Sequence, residues 1–121
     1  MNNLHVDWVV RRYFAGTDNT DPMFSTAEET LEVGNFNSLV IMATAEKATN
    51  MVVDIETALD IGQQVWIPLT NGTFTLGSRE ETRIFRSSDE DPPLRWLRYK
   101  VRAATSAAWS GLLTLRLMLK R

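Results

Sequence analysis

Apolar residues recur at every second position in one short segment of this chain after another, and few folds satisfy that pattern. In residues 97–103, Leu97, Tyr99, Val101 and Ala103 alternate with Arg98, Lys100 and Arg102. In residues 112–119, Leu113, Leu115, Leu117 and Leu119 alternate with Leu112, Thr114, Arg116 and Met118. A period of two sends each set to its own face of a strand, so both segments are expected to be strands with one buried face. For the last segment a helix starting at Ser110 competes, because Leu112, Leu115 and Leu119 also fit helical spacing and leucine favours helices. The tighter alternation favours the strand.

The period continues upstream. EETLEV reads as a short strand ending at GNFNS, where Gly34 and Asn35 suit positive φ. Leu39, Ile41, Ala43 and Ala45 share one face opposite Val40, Met42 and Thr44. After the turn-like EKATN, Met51, Val53, Ile55 and Leu59 share a face opposite Asp54 and Glu56. Beyond a turn at DIGQQ, Val65, Ile67 and Leu69 are in phase, and Pro68 marks an edge strand or a strand end. Asn71 and Gly72 give a hairpin signal, with Phe74 and Leu76 on the returning strand. TRIFRSS reads as a further brief strand and SSDEDPP as a loop. Leu94 and Trp96 fall out of phase with Leu97, which predicts a β-bulge between Trp96 and Leu97.

Seven or eight short strands with frequent turns and no βαβ rhythm make the fold all-β: an antiparallel β-sandwich or jelly-roll-like barrel with an extended N-terminal segment. Residues 1–27 supply a strand or arm (VDWVVRRYF) and a polar connection, and residues 28–121 the sandwich domain. A chain of 121 residues, 44% of them hydrophobic, is expected to build one core without metals or disulfides.

The chain has no cysteine, which excludes a thiolate nucleophile, a disulfide scaffold and every cysteine-ligated metal site. No signal peptide is expected from the first residues, and AAWSGLLTLRLML is interrupted by Arg116 and too short to span a bilayer. A soluble protein without membrane insertion is expected. The formal net charge of -2 hides an asymmetry: residues 1–60 hold ten acidic and three basic side chains, residues 61–121 five and ten. Folding either interleaves these halves or sets them on opposite surfaces.

Catalytic patterns are sparse. The single histidine, His5, stands near the N-terminus with no cysteine or second histidine to complete a cluster. Asp54 and Glu56 share a strand face, as a pair of sugar-hydrolase carboxylates would, but any solvated face gives the same spacing. Asp89, Glu90 and Asp91 lack the spacing of a calcium loop. No cofactor, metal or catalytic residue is assigned. Arg98, Lys100 and Arg102 form a charged strand face better suited to paired or intersubunit charges than to nucleic acid, because Tyr99 points the other way. Trp8, Tyr13, Phe14, Trp66, Trp96 and Trp109 supply aromatic surface for contacts. The sequence is read as a non-enzymatic structural protein that self-assembles into a homo-oligomer or larger particle, such as a virion or phage-like capsid, decoration or tail component. Its candidate interface is Trp8, Tyr13, Phe14, Trp66, Trp96, Arg98, Lys100, Arg102 and Trp109. The alternative is a carbohydrate-binding β-sandwich module.

Overall fold

The alternation seen in the sequence becomes two sheets in the computed structural model, which describes residues 5–17, 22–24, 29–34, 36–60, 66–76 and 81–120, and of residues 5–7 the backbone alone. Nine strands lie among them: β1 (His5–Gly16), β2 (Met23–Phe24), β3 (Leu31–Glu32), β4 (Ser38–Thr49), β5 (Met51–Ala58), β6 (Ile67–Leu76), β7 (Glu81–Arg86), β8 (Trp96–Ala103) and β9 (Trp109–Lys120). One antiparallel sheet has the order β1-β9-β4-β7 and the other β2-β8-β5-β6, with β3 also pairing β8. This is an all-β fold of two antiparallel sheets, consistent with the expected sandwich. The core lies between the sheets, where Leu113, Leu115, Leu117 and Leu119 of β9 meet Val53 and Ile55 of β5 and Tyr99 and Val101 of β8. Residues 109–120 are strand throughout, because every odd-numbered residue of β9 is buried.

Two of the corners that carry the chain between the sheets meet at one residue. Near the end of β4 the register against β9 slips between Glu46 and Thr49, and Lys47 adopts φ 53°. This bulge bends the strand just before it crosses to β5 at Asn50, which has φ 56°. The same Asn50 holds the second corner, between β8 and β9. Its Nδ2 donates to the carbonyls of Thr105 at 3.3 Å and Ala107 at 3.1 Å, while its Oδ1 accepts from the Thr105 amide at 3.0 Å. One residue thus takes part in both corners, through its backbone in the first and its side chain in the second.

Three sequence expectations are corrected. Asn71 and Gly72 do not turn a hairpin: they lie inside β6, where residues 69–72 stand opposite the single Ile55. Positive φ is used there (63° at Asn71), but for a wide bulge in one strand. Gly72 is required because a Cβ would stand 2.9 Å from the Leu69 carbonyl oxygen. The second correction is at Trp96, where no bulge occurs. β8 begins at that residue and pairs with β5 in unbroken register, so Leu94 lies outside the strand and its phase carries no meaning. Third, Leu59 is not on the core face of β5. The strand ends at Ala58, and Leu59 is 66% exposed. Asn35, Val65 and the turn at residues 61–64 lie outside the described residues.

Candidate functional site

The outer face of the second sheet gathers the charges that the sequence keeps far apart. Asp54 and Glu56 on β5 lie beside Arg98, Lys100 and Arg102 on β8, because the antiparallel register sets Asp54 against Lys100 and Glu56 against Arg98. Arg102 Nε donates to Asp54 Oδ2 at 2.6 Å, and Arg98 Nε donates to Glu56 Oε1 at 2.7 Å. Lys100 Nζ stands 3.8 Å from an oxygen of each carboxylate. The Thr73 hydroxyl of β6 completes the row by donating to Asp54 Oδ1 at 2.8 Å. The carboxylate side chains are only 13% and 9% exposed. Burial opposes ionisation of Asp54, yet the hydrogen bonds from Arg102 and Thr73, with the charges of Arg102 and Lys100, outweigh it and hold the carboxyl below its ordinary value. A general acid needs the opposite shift, so this is a structural ion-pair row rather than a hydrolytic pair.

Aromatic rings cover one end of the row. The Arg98 guanidinium lies 4.6 Å from the ring centre of Phe24 on β2 and 4.6 Å from that of Trp66. A planar guanidinium can stack on two rings while its Nε serves a carboxylate, which a lysine cannot do. Of the other tryptophans, Trp8 is partly buried against the core, Trp96 is partly buried at the start of β8, and Trp109 is buried within the core with Phe14. Tyr13 lies on the outer face of β1 and is 65% exposed.

The halves of opposite charge are therefore interleaved. Besides the β5–β8 row, Arg95 Nε donates to Glu32 Oε2 at 2.6 Å across the β3 edge. Among the described residues no cluster of histidine, cysteine and acidic side chains is able to hold a metal ion. Asp89 accepts the Arg86 amide at 2.8 Å to close its own turn. Of His5 only the backbone is described, and it pairs with Lys120. The described residues assemble no catalytic constellation, and none of their helices is long and apolar enough to cross a membrane.

No protein-family model matches the chain, and no curated protein is significantly similar to it. Among solved structures, one similar chain comes from Bacillus endospore appendages, described as a novel family of disulfide-linked pili. It aligns with a TM-score of 0.49 and 11% identity over 99% of this chain and 91% of that one. Another comes from the infectious bursal disease virus Gx strain, with a TM-score of 0.44 and 8% identity over 97% of this chain and 32% of that one. This chain spans about a third of the viral chain.

Two inward-facing arginines, neither singled out by sequence, tie the sheets together at their sides. Arg83 of β7 donates from Nη1 to the carbonyls of Asn71, at 2.7 Å, and of Thr73, and lies over the Phe74 ring. It thereby fastens β7 to the bulge of β6. On the other side, Arg12 of β1 donates to Glu29 at 2.6 Å, and Glu29 lies beside the Tyr99 hydroxyl in the interior. Burial, reinforced by the Glu29 carboxylate, holds the Tyr99 phenol well above its usual range. The signal was present in the sequence, since Arg12 shares the phase of Val10 and Phe14.

The outer face of the first sheet mixes exposed apolar side chains with the exposed charges Arg11, Glu46 and Arg116. Val9, Tyr13 and Ile84 are 54%, 65% and 52% exposed, and Val40, Met42, Leu112 and Met118 lie partly exposed on the same face. The sheet edges differ from one another. β7 has six residues and β6 carries Pro68 and the bulge, while the outer side of β8 is paired by β2 and β3. β1 has twelve residues without proline or bulge, and among the described residues only β9 pairs with it.

Proposed function

We propose that the chain is a non-enzymatic structural protein that assembles with copies of itself into a homo-oligomer or a larger shell, tube or particle surface, such as a capsid, decoration or tail component. The observation that carries this reading is the outer face of the β1-β9-β4-β7 sheet, which leaves Val9, Tyr13 and Ile84 in water. Apolar groups gathered on one sheet face gain free energy when another surface removes them from water, at roughly 25 cal/mol per Å². The strand order, in which each sheet draws strands from both ends of the chain, supports the finer reading of a jelly-roll-like sandwich. Tyr13 belongs to the contact surface. The charged face of Arg98, Lys100 and Arg102 supplies rim charges for register rather than affinity, because Asp54 and Glu56 already hold these cations.

A similar solved chain is described as forming disulfide-linked pili. This chain has no cysteine, so its own contacts would be non-covalent. The carbohydrate-binding alternative needs tryptophan rings open to a sugar face, and it finds little support. Trp109 is in the core, and Arg98 lies against Trp66. Light scattering coupled to size exclusion, with negative-stain imaging of the same fractions, tests the assembly reading. A discrete oligomer or particle is expected. A monomer that binds immobilised polysaccharide would replace the proposal with the alternative.

A further inference from the structure

We infer that β1 is the strand through which two copies join, antiparallel about a twofold axis centred on Val9, so that two four-stranded sheets become one sheet of eight. The inference rests on the self-assembly reading and adds an edge contact to the face contact that carries it. An open edge presents a row of unpaired N–H and C=O groups and is a template for another strand unless it is short, bulged, interrupted by proline or blocked by an inward charge. β7 is short, and β6 has Pro68 and a bulge. β8 is already flanked by β2 and β3. Along His5–Gly16, β1 is long and has neither proline nor bulge, and its inward charge, Arg12, is neutralised within the chain by Glu29. Of the described edges, β1 is the one that invites a partner.

Charge selects the register. A twofold axis normal to the sheet keeps the outer faces of both copies on one side, so odd-numbered residues of β1 oppose odd-numbered residues. Centring the axis on Arg11 would set two arginines against each other, and centring it on Val10 would set Val9 against Arg11. With the axis on Val9, position 7 stands opposite position 11 in both halves, an aspartate against an arginine twice over. Residues 5–13 of each copy would then pair. Val9, 54% exposed in the single chain, would be covered by its own counterpart. Arg11 is free to take this role: its contact with Glu46 is long, at 3.6 Å, and both side chains are mostly exposed.

The absence of native cysteine makes the register directly measurable. Across an antiparallel pair the two Cα atoms at the axis are about 4.5–5.5 Å apart, within disulfide range. Val9→Cys in the full chain is therefore expected to give a covalent dimer under mild oxidation at micromolar concentration. Tyr13→Cys should not, because the two copies of position 13 would lie about 27 Å apart along the strands. Adding Arg11→Asp to Val9→Cys should weaken association on the order of tenfold, and Asp7→Arg with Arg11→Asp should restore it. Circular dichroism of each variant checks that the fold is retained. If the chain is oligomeric but Val9→Cys fails to cross-link, or Tyr13→Cys cross-links as fast, the β1 contact is wrong while self-assembly stands. A chain that stays monomeric at about 100 µM would overturn both.

Discussion

Arg102 Nε stands 2.6 Å from Asp54 Oδ2, so the acid is an acceptor held in a row of cations rather than a free carboxylate. Asp54→Asn removes the charge but keeps the shape, leaving Arg102 and Lys100 without their counter-ion. A loss of about 1–3 kcal/mol in unfolding free energy is expected from urea titration at pH 7. Because the folded carboxyl lies below its ordinary value, its contribution is complete above the unfolded value of about 3.9 and fades as pH falls toward the folded one. The gap between wild type and Asp54→Asn should therefore hold steady above about pH 5 and close in stronger acid. A gap that widens in acid would contradict the assignment.

Tyr99 gives the opposite sign. Its phenol is held above the usual range by burial and by Glu29, so its contribution is complete below the ordinary tyrosine value of about 10 and is lost at higher pH. Tyr99→Phe should cost about 1 kcal/mol or less at pH 7. Above about pH 10 it should lose less stability than wild type, as measured by denaturation midpoints at successive pH values.

Asn50 combines positive φ at the β4–β5 corner with side-chain hydrogen bonds to the β8–β9 corner. Asn50→Ala is expected to destabilise by about 2–4 kcal/mol, from several net hydrogen bonds and the strain of a left-handed alanine. Asn50→Gly relieves only the strain and should fall between the two. Equal stabilities for the alanine and glycine variants would show that the backbone conformation is not what the residue supplies.

Gly16 passes directly over Trp109, where a Cβ would lie 2.6 Å from Cε2 of the indole. Gly16→Ala should displace the ring, cost about 1–3 kcal/mol and shift tryptophan emission to the red. An unshifted spectrum with unchanged stability would argue against this packing.

The strands were legible where alternation was regular. β9 shows it from Leu113 to Leu119, where burial on one face selects a period of two, and β5 shows it through Asp54 and Glu56, although nearly all of that strand is buried. Asn71 and Gly72 were misread since positive φ serves a bulge as readily as a hairpin, and only the position of β5 decides between them. Trp96 was misread because phase was counted from Leu94, which precedes β8. The ion-pair row was half visible: the sequence put the cations on one face and the acids on another, and the β5–β8 register brought them together. The Asn50 latch and the Arg83 clamp join residues distant in the chain, so no local pattern announces them.

The mass of the full chain in solution, measured by light scattering from about 1 to 100 µM, tests the self-assembly reading most directly. A discrete multiple of the 13.8 kDa chain that persists on dilution is the expected result. A single species of 13.8 kDa across the whole range would contradict it.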